Sequence, residues 1–303
     1  MTARELGVGL QLNYTTLPLL DRIEAELALD YAELLIDTVG GALDSPNLVD
    51  PAALPLVERC RARWPLVAHS NFGQEFGFAP LEDTAAARRH VAIARMLDSP
   101  WIADHLFYGS GSISHAWSSP LQMSRPEIDR VVDRARALQD LAGRPLAHEN
   151  GYFYNFLPGT DLGEPEFLSE IVRRAGTYLL LDLHNVYANS LVHTTGEYEP
   201  AAYLGGIPLD RVLEIHIAGG QWIRGWYHDL HNHPVPEPVW DMLRTVLGRS
   251  ASVRAVTLEV QGPAHMVESR RIDDGWFDMI RTDLARARSL WDETAAVRRG
   301  RAP

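Results

Sequence analysis

The chain has 303 residues and a formal net charge of −12, which argues against DNA or RNA as its main partner because phosphate binding needs a basic surface. All 28 basic side chains are arginine, so lysine Schiff-base chemistry and a P-loop lysine are excluded too. With 46% hydrophobic residues, no apolar run near the roughly 20 residues that span a bilayer and no signal-like N-terminus, a cytoplasmic protein away from membranes is expected.

Short apolar runs alternate with longer helical segments along the chain. The runs predict strands over Glu5–Leu12, Tyr31–Asp37, Pro65–Ser70, Trp101–Phe107, Pro145–Asn150, Thr177–Asn185, Val212–Gly219 and Ala255–Val260. Helices are expected near 16–27, 51–63, 83–97, 126–142, 164–175, 198–206, 236–247 and 275–295. Pro126 and the prolines of Val235-Pro-Glu-Pro stand where helices should start. Eight strand-then-helix units in one chain of this size fit a single (β/α)₈ barrel, a TIM barrel, over residues 1–295. A doubly wound sheet is the alternative, but Val39-Gly-Gly-Ala-Leu43 lacks its glycine fingerprint. Residues 296–303, rich in arginine, are expected to fray. Cys60, the single cysteine, lies in a helical stretch and reads as structural.

In such a barrel the active site forms at the C-terminal strand ends. Those positions hold Asp37, His69, His105, Glu149, Asp182, His216 and Glu259, and the loop after the seventh strand adds Asp229 and His231. A lone strand-end histidine is more often structural, but so many in one cavity are not. Burying an unpaired carboxylate costs several kcal/mol, and like charges nearby add to it. Cations remove the difficulty. This many ligands exceed what one tetrahedral zinc needs, so two or three ions are expected, and mixed imidazole and carboxylate ligation suits iron, manganese or zinc. Asp229 and His231, two apart, would share one face of an extended segment. Asp182 and His184 would do the same, leaving His184 evenly placed between ligand and supporting donor. Asp182, Asp229 and His231 are the candidates for direct catalytic roles. Glu149 is expected to point inward and His148 outward. Asn150 and Asn185 end their strands, where they orient ligands, contact substrate or simply cap turns, and Asp37 belongs with these supporting positions. His90 reads as a surface residue. Gly109–Ser119, with His115 and Trp117, reads equally as a lid or an ordinary loop.

The motifs Ala68-His69-Ser70, Asp104-His105-Leu106, Glu149-Asn150, Leu181-Asp182-Leu183-His184-Asn185, Ile215-His216-Ile217, Asp229-Leu230-His231-Asn232-His233-Pro234 and Leu258-Glu259 together resemble the multinuclear non-heme iron-dependent oxidative enzymes of the methanobactin-biosynthesis type. The resemblance implies a (β/α)₈ barrel with two or three irons, a mixed-valence pair among them. It implies O₂ as co-substrate and oxidation of a residue, often cysteine, in a ribosomally made precursor peptide. The implied iron ligands are His69, His105, Glu149, Asp182, His216, Asp229, His231 and Glu259. A separate partner protein that recruits the peptide is implied as well. Asp37, where the family often has glutamate followed by asparagine, and His184 and Asn232 depart from the pattern. The competing readings are a zinc or manganese sugar isomerase or endonuclease-like hydrolase on the same barrel, and a metal-storage barrel.

Overall fold

The computed structural model describes residues 4–41, 49–70, 76–78, 80–110, 113–114, 120–193, 196–262 and 273–300. Eight parallel strands close into a barrel: β1 Gly7–Leu12, β2 Tyr31–Leu35, β3 Leu66–Ser70, β4 Ile102–His105, β5 Leu146–Glu149, β6 Tyr178–Asp182, β7 Val212–Ile217 and β8 Ala255–Leu258. Strands buried on both faces cannot alternate apolar with polar, which is why they read as continuous apolar runs. Closure is made by β1 against β8, with Gly7 opposite Ala255 and Leu10 opposite Leu258. The predicted (β/α)₈ barrel is the observed fold.

The helices outside the barrel are α1 Leu20–Glu26, α2 Leu54–Arg63, α3 Ala85–Met96, α4 Arg125–Ala142, α5 Glu164–Ala175, α6 Leu183–Val192, α7 Pro200–Gly206, α8 Glu237–Arg249, α9 Asp274–Glu293 and α10 Ala295–Gly300. The main core lies between their inner faces and the sheet. A second cluster fills the barrel itself, built on Tyr31, Val67, Trp101, Leu180 and Leu213. At its centre the buried Glu214 carboxylate accepts hydrogen bonds from Trp101 Nε1 at 2.7 Å and Thr257 Oγ1 at 2.7 Å. The N-terminal part of the barrel interior is therefore filled by side chains.

Three segments differ from expectation. The sixth strand stops at Asp182, and Leu183 starts α6 instead of extending the strand to Asn185. Asp182 causes the switch, since its side chain accepts the Asn185 N–H at 2.8 Å and caps the helix. The second strand ends at Leu35, and Asp37 sits in a short 3₁₀ turn. The arginine-rich end continues as α10 as far as Gly300, where Arg298 is buried against the Trp291 ring. His115 and Trp117 of the expected lid, and His265, lie outside the described residues.

A two-residue turn joins the hairpin Gln221–Ile223/Trp226–His228 that follows β7. Arg224 and Gly225 both have positive φ, at 51° and 85°, the combination that matches the strand twist of a tight hairpin. The hairpin leads directly into Asp229.

Candidate metal centre

The strand ends deliver the side chains one by one. His69 comes from β3, His105 and Glu149 end β4 and β5, Asp182 ends β6, His216 comes from β7, and Glu259 follows β8. Asp229 and His231 arrive from the segment after the hairpin. That segment is seated tightly, because a Cβ on Gly219 would collide with the backbone oxygens of His233 and Pro234.

Glu149 stands at the middle. Its Oε2 lies 3.2 Å from His69 Nε2 and 3.1 Å from His105 Nε2. Its Oε1 faces the other way, 3.6 Å from His216 Nδ1, which is itself 3.3 Å from Glu259 Oε2. One carboxylate thus faces two groups of donors. A third group forms around Asp229 Oδ1, which is 2.7 Å from both His184 Nδ1 and His231 Nε2. Within each of the sets His69/His105/Glu149, Glu149/Asp182/His216/Glu259 and His184/Asp229/His231, the donor atoms lie within 4.8 Å of one another.

These atoms are close without being bonded to each other. Glu149 Oε2, Asp182 Oδ2, His216 Nδ1, Asp229 Oδ1 and both nitrogens of His231 are buried and make no hydrogen bond. Buried polar atoms are nearly always satisfied, so lone pairs that converge on shared points without pairing fit cations between them. Nitrogen and oxygen donors of this kind suit a first-row transition metal.

The electrostatics agree. Burial would push the Asp182 carboxyl up, and Glu259, Glu149 and Asp229 push it further, well above the usual carboxylate range. Burial opposes charge on His69, yet Glu33 and Glu149 raise its imidazole to about 9. His231 is likewise raised to about 10, against burial, by Asp229 and Glu259. The carboxylates demand positive charge in this space, and protons on imidazoles are one form of it.

Supporting residues hold the donors in place. Asn150 clasps the Asp182 backbone, accepting its N–H at 2.8 Å and donating to its carbonyl at 2.9 Å. Asn185 donates to the Asn150 carbonyl at 3.0 Å, so both asparagines act on Asp182. His184, in the first turn of α6, pairs through Nε2 with the Tyr227 hydroxyl at 2.9 Å and turns Nδ1 to Asp229. His148 faces away, against Thr177 and Phe76.

Other residues fall elsewhere. Asp37 pairs with Arg89 at 2.6 Å instead of reaching these groups. His90, expected at the surface, is buried with Nε2 3.4 Å from the Ala68 carbonyl. Cys60 is buried in α2, and burial pushes its thiol up to about 11.

Sequence reasoning missed Glu33 and Gln11. Glu33 Oε2 lies 2.9 Å from His216 Nε2. Because a carboxylate only accepts, Nε2 of a neutral His216 carries the hydrogen and Nδ1 keeps its lone pair toward Glu149 and Glu259. Gln11 donates from Nε2 to Glu33 Oε1 at 3.0 Å and also to Glu259. Both residues sit on strand positions that face the barrel interior, and nothing in their local sequence marks that direction.

A narrow cleft lined by Gln11, His105, Asp182, Asp229, His231 and Gln261 opens above the cluster. A larger cavity of about 760 Å³ lies at the opposite end, lined by Arg61, Trp64 and Arg144 among others, away from every one of these donors.

Comparison with known proteins places the chain. A model of the family described as "RiPP precursor modification enzyme MbnB/TglH/ChrH" matches residues 7–268. A UPF0276 protein of Caulobacter vibrioides is 32% identical over 276 residues, covering 90% of this chain and 91% of its own. Another, from Anaeromyxobacter, is 30% identical over 248 residues, covering 80% and 81%. Among solved structures, endonuclease IV from Thermus thermophilus superposes with a TM-score of 0.53 at 19% identity, over 90% of this chain and 99% of that one. A xylose isomerase domain containing protein from Salmonella typhimurium reaches 0.58 at 12% identity, over 98% and 99%. At those identities the solved structures share the fold alone. The sequence relationship goes further: the chain belongs to the RiPP precursor modification enzymes of the MbnB/TglH/ChrH family, the group its motifs resemble.

Proposed function

We propose that this enzyme oxidises a residue, cysteine in the first instance, of a ribosomally made precursor peptide, using two or three irons and O₂. The observation that carries the reading is Glu149, whose two oxygens face two separate donor groups. A carboxylate placed between two donor groups would suit two neighbouring metal ions whose charge changes.

His69, His105 and Glu149 would hold one ion, and Glu149, Asp182, His216 and Glu259 its neighbour. His184, Asp229 and His231 form a third position. Bound iron supplies electrons for O₂ and a centre that favours the thiolate form of cysteine. The protein does the rest. Asn150 and Asn185 orient Asp182, Glu33 fixes His216, and Tyr227 fixes His184. Burial of the whole set keeps bulk water from competing with a substrate side chain that enters the cleft. Asp229 and His231, on the segment that borders the cleft, are the groups best placed to meet that side chain. With Cys60 buried in α2, the reactive thiol belongs to the substrate. A separately encoded partner that presents the peptide completes the proposal, as does a cytoplasmic setting, where such peptides are made.

Metal analysis of anaerobically purified protein, with an electron paramagnetic resonance spectrum of the same sample, tests the reading. Two to three irons per chain and a mixed-valence signal that O₂ perturbs are expected. Stoichiometric zinc or manganese, with no O₂ uptake after iron is added, would sink it in favour of a divalent-metal isomerase or hydrolase. Full turnover of peptide by the barrel alone would remove the partner.

A further inference from the structure

The exposed aromatic side chains are distributed unevenly. Among the described residues they are Tyr14, Phe78, Tyr154, Trp222 and Trp226, each 49% exposed or more. All five lie on loops that follow strands β1, β3, β5 and β7, at the end of the barrel where the metal donors sit. The other exposed large apolar residues are Ile223, beside Trp222 in the same hairpin, and two single leucines on α2 and α4, Leu54 and Leu141. Because alternate strands are spaced around a closed barrel, the aromatics mark several sides of the rim, most densely at the hairpin.

Three of the rings are held in position. Trp222 meets the buried Tyr227 edge-on at 5.6 Å, and Tyr227 in turn touches His184. The Tyr154 hydroxyl lies 3.1 Å from His228 Nδ1, at the end of the hairpin. Phe78 stacks on Tyr108 at 5.1 Å with the Arg130 guanidinium 4.7 Å from its centroid. Rigid aromatic surface loses little freedom on binding, and it is over-represented where proteins bind other chains. The hairpin is also continuous with the cleft, since His228 precedes Asp229 directly. A chain with a residue in the cleft therefore passes close to this hairpin.

We propose that the aromatic rim, centred on Trp222, Trp226 and Tyr154, binds the precursor peptide itself. It would grip apolar side chains that flank the modified residue, in an extended segment laid across the barrel mouth. This rests on the reading of the chain as a peptide-modifying enzyme, and it adds that the barrel, not only a partner protein, selects the sequence around the modified residue.

The test uses the full chain loaded anaerobically with ferrous iron and a displayed library of short random peptides. Enrichment of peptides carrying aromatic or aliphatic residues is expected. Their affinity should fall at least about tenfold in the Trp222→Ser/Trp226→Ser variant, the scale of lost interface anchors. The Trp222→Phe/Trp226→Phe variant should retain most of it, and Leu54→Ser/Leu141→Ser should bind like the parent. Failure to enrich any peptide, or equal binding by the serine variant, would overturn the proposal. So would a parent that sediments as a dimer and a serine variant that sediments as a monomer, because a second copy would then cover the rim. Binding is scored without turnover. Absence of O₂ uptake in the same preparation would therefore remove the oxidative reading and leave this one intact.

Discussion

Glu33 shows how a single side chain beyond the donor set shapes the site. It contacts His216 Nε2, the nitrogen opposite the one turned to Glu149 and Glu259, and is tied through Gln11 to Glu259. Carboxylates that orient a metal-binding imidazole typically contribute about 10–100-fold to metal affinity. Glu33→Ala should therefore weaken metal binding by about that factor, while Glu33→Gln, which still accepts from Nε2, should recover part of it. Competition against a chelator measures both, and equal affinity in parent and alanine variant would discard the role. The sequence pointed to Asp37 instead, because a carboxylate at a strand end is conspicuous. Glu33 lies inside Tyr-Ala-Glu-Leu-Leu, where the direction of a side chain depends on barrel closure rather than on its neighbours. Glu149, Asp182, His216 and Glu259 were legible for the converse reason, each standing where an apolar run meets its loop.

At the scale of elements, the β6–α6 junction and the first turn of α5 are the informative joints. Leu-Asp-Leu-His-Asn-Val-Tyr continues an apolar run, so the sequence reads as strand through Asn185. Only the capping bond from Asn185 to Asp182 reveals that a helix begins there. His184 consequently reaches Asp229 from a helical turn, and not by sharing a strand face with Asp182. Glu164, the first residue of α5, accepts from the Gly151 N–H at 3.0 Å and from the Tyr203 hydroxyl at 2.9 Å. It fastens the loop after β5 and α7 together. Burial is the main cause that pushes its carboxyl up to about 8, so the folded state favours the protonated form. The stability this group contributes is whole below the unfolded value near 4.5 and is lost as pH rises through about 8. Glu164→Gln keeps the size and an acceptor but cannot ionise. Relative to the parent it should therefore gain roughly 2–4 kcal/mol between pH 5 and pH 9. Chemical denaturation at the two pH values checks this, and a difference that does not change with pH would refute it.

Across the whole molecule, the barrel was legible because each strand is buried on both faces and each is followed by helical sequence. The aromatic rim was not, since exposure of a tryptophan is a property of the finished surface. Closure joins β1 to β8 over a sequence separation of nearly the whole chain, and Glu259 is the residue just beyond that last strand. In a refolding experiment, full metal loading, which needs the set that contains Glu259, should thus appear only with the slowest change in tryptophan fluorescence, and full loading in an earlier phase would count against it. The same topology sets an order in time during synthesis. His69, His105 and Glu149 leave the ribosome long before Glu259, so a nascent chain carries one set of donors while the neighbouring set still lacks its last member. Full metal loading then belongs to the finished polypeptide, because the last of its donors is also among the last residues to be made.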